Sequence, residues 1–269
     1  MKTVSILGCG WFGLPLAKHF VAEGYTVKGS TTSSDKLALL ESERIISFLV
    51  ELSASEDINN IDFFNCDVLI IAIPPKSRSG EGAAYVPKLN RVISAIQQNA
   101  VKNVILISST GVYGDLNAQV DESTPPKSDT PSAGILSKAE ELFRRQIAFN
   151  TTIIRFGGLI GPGREPGRFF AGKKNIPNGQ APVNMIHLND CIGLTDTVVS
   201  KDAFGHTFNA CTPHHPPKTD FYTKAAAKAG LPHPEFIDEL REWKLINSKN
   251  VPEILGYLYK INNWDEWFK

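Results

Sequence analysis

The sequence predicts an α/β protein: a doubly wound parallel sheet with a smaller C-terminal lobe. Three observations predict it. Short aliphatic runs alternate with helical patterns through the first 155 residues. The first run ends directly in the glycine-spaced turn Gly8-Cys9-Gly10-Trp11-Phe12-Gly13. After residue 157 the texture changes to a long segment dense in Gly, Pro and basic residues.

TVSIL (3–7) is the first strand, and Leu14-Pro15-Leu16-Ala17 begins the helix after the glycine turn. That helix ends at Gly24, before the second strand, YTVKG. RIISFLV (44–50), DVLIIAI (67–73), NVILIS (103–108) and TTIIRF (151–156) continue the series. All are β-rich and apolar on both faces, as strands are when helices cover both sides of a parallel sheet. Between them the clearest helix is 84–99, where Val86, Leu89, Val92, Ile93 and Ile96 recur at helical spacing. A further helical segment, SKAEELFRRQIAF, opens with Ser137 and carries Glu140 three residues later, a capping-box pattern. Such alternation implies the doubly wound arrangement.

GGLIGPGREPGRFFAGKKNIPNGQAP then reads as a long functional loop rather than a core element. The strand HTFNAC (206–211) and the helix TDFYTKAAAKAG follow, and the aromatic tail NNWDEWFK is expected to dock on the body. The division expected is a main domain over 1–157, to which 183–212 returns, and a second lobe from 158–182 and 213–269.

Composition narrows the function. Hydrophobic residues make up 42% and charged residues 21%, an ordinary globular balance. Lys plus Arg and Asp plus Glu are both 28, so there is no net charge to favour nucleic acid or an anionic membrane. Cys9, Cys66, Cys191 and Cys211 are scattered without metal-ligand spacing and read as small core residues in a reducing, cytoplasmic setting. No metal site is expected. No apolar run reaches the ~18 residues of a membrane span, and the expected partner is a small molecule.

The glycine turn identifies a cofactor. Gly8 makes the tight turn, Gly10 admits a pyrophosphate to the backbone, and Gly13 lets helix pack on strand. The helix N-terminus then offers free N–H groups to phosphate. The expectation is a Rossmann-type dinucleotide site rather than a plain glycine turn, with Trp11 and Phe12 inside the turn and Ala72-Ile73-Pro74 at the strand end beside the nicotinamide. An NAD-binder places Asp or Glu at the end of the second strand. Here Ser30, Thr31 and Thr32 stand there instead, followed by Ser33-Ser34-Asp35-Lys36. Hydroxyls and a lysine suit a 2′-phosphate, so NADP is expected, with NAD as the alternative and a solvated, helix-capping loop as the plain reading.

With that site in hand, ISSTGVYG (107–114) resembles the strand-end motif of the extended short-chain dehydrogenases/reductases, the group of nucleotide-sugar epimerases and dehydratases. The resemblance implies that Ser109 hydrogen-bonds the reacting hydroxyl, with Tyr113 as the motif's later tyrosine. Asp121-Glu122-Ser123-Thr124-Pro125, Arg155 with Gly161-Pro162-Gly163, and His187-Leu188-Asn189-Asp190 resemble further family elements, in order, over most of residues 1–212. The opening GxGWxGxPLA, the strand end SSTxVYGD and the segment GPGRxPGRFFAGK (Gly161 to Lys173) are similar to an atypical YeeZ-like branch. One family feature is absent. The Tyr-x-x-x-Lys pair, in which lysine lowers the pKa of the phenol, keeps Lys138 but has Gly134 in the tyrosine position. Lys138 then either touches the nicotinamide ribose or is an exposed first-turn lysine. Tyr113 either replaces the phenol or shapes the pocket, His187 is either a base or a structural residue, and Asp190 reads as an N-cap rather than a catalytic carboxylate.

Arg164, Arg168 and Lys173 project from the Gly/Pro-rich loop just past a strand's C-terminal end. Open α/β sheets bind their ligands there, and arginine forks suit phosphate or carboxylate. The alternative is a solvated basic loop, or arginines clasping the protein's own acidic residues. Phe169 and Phe170 are expected to anchor it. The expected function is therefore an NAD(P)-dependent oxidoreductase or epimerase acting on a small anionic or nucleotide-linked substrate. Its site would comprise Ser109, Tyr113, Lys138, Arg164, Arg168 and His187. The alternative, favoured by Gly134, is a dinucleotide-binding sensor or scaffold without chemistry.

Overall fold

The computed structural model describes residues 2–75 and 80–269. Its elements run β1 (Thr3–Leu7), α1 (Gly13–Ala22), β2 (Thr26–Thr31), α2 (Leu37–Ser42), β3 (Ile46–Leu49), β4 (Val68–Ile71), α3 (Gly82–Gln98) and β5 (Asn103–Ser109). Then come β6 (Ala118–Val120), α4 (Pro131–Arg144), β7 (Asn150–Phe156), β8 (Gly158–Ile160), β9 (Met185–His187) and α5 (Leu188–Ser200). The chain closes with β10 (Thr207–Ala210), α6 (Lys218–Lys228), β11 (Lys244–Ile246) and α7 (Trp264–Trp267).

Every run read as a strand above lies in one seven-stranded sheet, ordered β10-β7-β5-β4-β1-β2-β3. All six pairings are parallel. The order departs to either side of β1 and β4, the reversal that opens a ligand crevice at the strands' C-terminal edge. Apolar residues fill both faces. One core packs α1 and α5 against Val4, Ile6, Val68, Ile70 and Ile154. The other packs α3 and α4 against Leu7, Leu69, Ile71, Val104 and Ile153. β3 departs from the expectation of two buried faces. As the terminal strand it has one neighbour, and Ile46 and Leu49 stay 48% and 37% exposed.

Three local expectations are corrected. Ser137 is no cap: α4 begins six residues earlier, where the Thr130 side chain accepts from Ala133 N–H and Pro131 supplies the first-turn residue. Ser137 lies mid-helix with its hydroxyl against Ser128 at 2.9 Å, so Lys138 is beyond the first turn. Asp190 is no cap either, because the His187 Nδ1 accepts Asn189 N–H at the head of α5. Asp190 is buried and receives Tyr257 O–H, Lys260 N–H and Ile261 N–H at 2.9, 2.6 and 3.1 Å, which fastens the chain just before the tail. Finally, the 158–182 segment is not loop throughout: it contains β8, and Pro166 and Gly167 are buried. Gly167 is required there, since a Cβ would lie 2.4 Å from Ala225 O on α6.

A separate apolar cluster holds Ile160, Val183, Phe221, Tyr222 and Trp264, with Phe170, Phe236, Trp267 and Phe268 packed on it. The aromatic tail therefore docks as expected, with Trp264 fully buried against Phe221. β6 pairs with β11, and β8 with β9, in two small parallel ladders outside the main sheet.

Candidate dinucleotide cleft and strand-end site

The turn after β1 is shaped by its glycines. Gly8 has φ +103°, open to glycine at no steric cost, and a Cβ there would lie 2.8 Å from Ile73. A Cβ on Gly13 would lie 2.1 Å from Gly8 O, so α1 approaches β1 only because Gly13 has none. A Cβ on Gly10 would meet nothing within 4 Å; its α-carbon faces open space. Gly10 N–H turns back to Gly8 O at 2.9 Å, whereas the N–H groups of Trp11 and Phe12 find no acceptor among the described residues. Donors without partners at a helix head, beside open space, are a fitting cradle for a diphosphate.

That space is a cleft of about 500 Å3 lined by Gly8, Gly10, Ser30, Thr31, Thr32, Ala72 and Pro74, all residues singled out from sequence. Their tasks differ. Ser30 is buried, and its Oγ accepts Gly8 N–H at 2.9 Å, so this hydroxyl braces the turn. Thr31 Oγ1 accepts Ser33 N–H at 3.1 Å. Thr32 and Lys36 are exposed on the cleft. Phe12 does not line the cleft; its ring is buried edge-on to Phe156 at 5.1 Å. Trp11 lines an adjoining slot of about 330 Å3 that shares Cys9, Gly10, Thr31 and Lys36 with the cleft.

Sequence reasoning missed part of the wall. Val50, Glu51 and Leu52 follow β3, and Tyr85 and Lys88 come from α3. Tyr85 is buried with its hydroxyl donating to Ile73 O at 3.0 Å, which holds the strand end beside the cleft. Its spacing from Leu89, Val92 and Ile96 was a detectable signal; nothing in the sequence pointed to Glu51.

At the neighbouring strand ends the second constellation takes shape. Ser109 closes β5, and its Oγ accepts Gly111 N–H at 3.1 Å, leaving its own O–H to donate. On α4, Gly134 and Lys138 stand one helical turn apart on a single face. Lys138 is exposed and makes no ion pair among the described residues. A Cβ on Gly134 would come no nearer than 4.0 Å to any atom outside its own helix, so the position has room for a side chain.

Tyr113 belongs to a different group. It is fully buried; its hydroxyl meets Asp121 O at 2.9 Å, Asn209 Oδ1 at 3.0 Å and the Arg155 guanidinium. Burial pushes its phenol above the ordinary value, although Arg155 opposes this. Arg155 is in turn buried in a fork on Glu140, with Nη2 2.6 Å from Oε2 and Nε 3.0 Å from Oε1. Ser108 Oγ donates to the same carboxylate at 2.7 Å. The network ties β5, β7, β10 and α4 together beneath the strand ends. Glu122, from the acidic-Pro stretch, accepts Asn209 N–H and Lys249 N–H at 2.8 and 2.9 Å and extends it.

His187 is 9% exposed, and burial holds its pKa below the ordinary value. Because Nδ1 accepts a backbone N–H, the proton of the neutral ring sits on Nε2. In the basic loop, Arg164 lies with its guanidinium carbon 4.6 Å from the centre of the Trp11 ring, and Trp11 Nε1–H donates to Pro162 O at 2.7 Å. Arg168 is exposed. Lys173 sits 5.5 Å over the ring of Phe170. Phe170 anchors the loop edge-on to Tyr222 at 4.7 Å, while Phe169 remains 44% exposed and meets the same Tyr222 ring from farther off, at 6.4 Å.

The NAD(P)H-binding family profile matches residues 8–186. Protein YeeZ of Escherichia coli K12 is 35% identical over 268 residues, covering 97% of this chain and 96% of its own. A functionally unknown conserved protein from Silicibacter pomeroyi superposes with a TM-score of 0.82 at 22% identity, covering 100% of this chain and 97% of that one. MoeE5, solved in complex with UDP-glucose and NAD, superposes with a TM-score of 0.79 at 17% identity, covering 98% and 95%. Among the described residues no helix is long and apolar enough to cross a membrane.

Proposed function

The chain belongs to the NAD(P)H-binding family, as an epimerase/dehydratase-like short-chain dehydrogenase/reductase of the YeeZ type, and from that premise we propose that it is an oxidoreductase or epimerase for a small anionic or nucleotide-linked substrate. The observation that carries this is the continuity of cleft and strand ends. The glycine turn and Ala72–Pro74 line one crevice at the C-terminal edge of the sheet, and Ser109 ends β5, the strand beside β4, at that same edge.

In this reading the cleft holds the dinucleotide. Gly10, Trp11 and Phe12 cradle its diphosphate, and Thr32 and Lys36 meet a 2′-phosphate, which makes NADP the preferred form. The bound nicotinamide supplies or accepts hydride. Ser109 O–H orients the substrate hydroxyl, and Lys138 holds the ribose. Tyr113, with its hydroxyl already engaged, braces the pocket rather than moving a proton. Arg168 gives the substrate side its preference for negative charge, and the lobe formed by 158–182 and 213–269 supplies that side. MoeE5 holds UDP-glucose with NAD in a similar fold, which supports a nucleotide-linked substrate.

Gly134 supports a second reading, a dinucleotide sensor without chemistry. One experiment separates the two. NADPH and NADH binding is followed by fluorescence, and cofactor turnover is then sought with a panel of UDP-sugars and pooled anionic metabolites. Binding with turnover supports the enzyme, and binding without turnover the sensor. Failure to bind either cofactor removes both.

A further inference from the structure

We propose that Arg164 is a ligand of the dinucleotide's diphosphate, held in place by Trp11, so that the cofactor itself fastens the 161–168 loop onto the glycine turn. The inference rests on the dinucleotide reading above and reassigns Arg164 from the substrate to the cofactor.

Four observations converge on it. Trp11 is the residue directly after Gly10, whose α-carbon faces the open cleft, and its backbone N–H has no acceptor among the described residues. Its indole reaches across 151 residues of sequence to donate to Pro162 O at 2.7 Å. The Arg164 guanidinium stacks on that same indole, 4.6 Å from its centre. Gly161 completes the junction: its φ is +152°, and a Cβ there would press on Leu188 at 3.0 Å and on Trp11 at 3.1 Å. The loop thus sits flush against the turn.

Charge gives the contact its purpose. Arg164 is exposed and has no carboxylate partner among the described residues; nearby Glu165 is already engaged by Gly163 N–H at 3.0 Å. Stacking fixes the plane of a guanidinium while leaving its edge N–H groups free to donate. A fixed cation beside unpaired N–H groups at a helix head adds a side-chain fork to a diphosphate cradle otherwise made of backbone. An arginine serving a substrate carboxylate would have no need of a platform built from the cofactor turn. Trp11 is accordingly a positioning residue, and its effect should pass through Arg164.

The test uses ADP-ribose, which carries the diphosphate but no nicotinamide, with binding measured by calorimetry on the full chain. R164A is expected to weaken ADP-ribose about tenfold or more, the loss of a charge-assisted contact. W11F keeps a ring but removes the indole donor. It should weaken binding severalfold in the wild-type background and add less than about twofold to R164A, the non-additivity of residues acting as one unit. A second readout is tryptic cleavage of the Arg168–Phe169 bond. Saturating ADP-ribose should slow it severalfold in wild type and leave it unchanged in R164A. If wild type binds ADP-ribose and R164A binds it equally well, the assignment of Arg164 is overturned while the dinucleotide site stands. Additive effects of W11F and R164A overturn the positioning role of Trp11. Wild-type protein that binds no ADP-ribose, NADH or NADPH overturns the dinucleotide reading and this inference with it.

Discussion

Glu140 and Arg155 show how one buried pair governs the geometry of a site it does not enter. Each charge would be costly to bury alone, and together with Ser108 and Tyr113 they satisfy one another. E140Q leaves the Arg155 guanidinium without a counter-charge and should cost about 3 kcal/mol or more of stability in urea unfolding. Replacing both partners with apolar residues (E140L with R155M) should restore much of that loss. A denaturation midpoint for E140Q within error of wild type would show that the network carries no such weight. Lys36 supplies the other test at this scale. K36A should weaken NADPH about tenfold while leaving NADH unchanged. Equal effects on the two would remove Lys36 from the 2′-phosphate.

Helix α4 carries Gly134 and Lys138, the two positions compared with the Tyr-x-x-x-Lys pair, and its start was misplaced by sequence pattern. Ser137 and Glu140 have capping-box spacing, yet Glu140 is buried on Arg155 and the helix already runs from Pro131. Tertiary burial of Glu140 outcompeted the local cap. T130A should therefore destabilise the protein by about 1 kcal/mol, while S137A should not produce a capping loss of that size. Because Gly134 lies in the first turn of this helix with open space around its α-carbon, G134Y should fold at least as stably as wild type, as glycine is a poor helix former. The same variant restores the Tyr-x-x-x-Lys spacing with Lys138, and it should gain NAD(P)H oxidation on a panel of ketones. A stable G134Y protein that oxidises no cofactor would mean that the phenol is not the only group lacking.

Across the whole molecule, the acid side of the stability profile rests in part on two histidines, one buried and one half-buried. Burial lowers the pKa of both His187 and His215 below the ordinary 6.5. Below 6.5 the unfolded chain binds protons that the folded chain resists, so stability falls as pH drops through that value and levels off below the folded pKa values. Above 6.5 both states hold neutral rings and neither histidine contributes a slope. Thermal melts at intervals from neutral pH down to about pH 5 should show this decline, and H187N, which keeps an acceptor at the head of α5 without titrating, should flatten part of it. An identical slope in H187N would remove His187 from the account.

The sheet was legible in the sequence because each strand is a local apolar run, and helix-covered parallel strands need no distant partner to declare themselves. The glycine turn was legible for the same reason: Gly8 and Gly13 meet constraints set within a few residues or by the adjacent strand, and Gly10 stands between them facing open space. Only the tertiary structure decided which polar residues face open space. Tyr113 carries the right group near the right strand end, but Asn209 and Arg155 help to claim its hydroxyl, and Ser30 is buried with its oxygen accepting Gly8 N–H. Glu51 joined the cleft through the order of strands rather than through any motif. Arg164 reached Trp11 across more than half the chain. Local sequence determines an element and its buried face; whether a side chain is spent on the fold or left for a ligand depends on partners that only folding brings together.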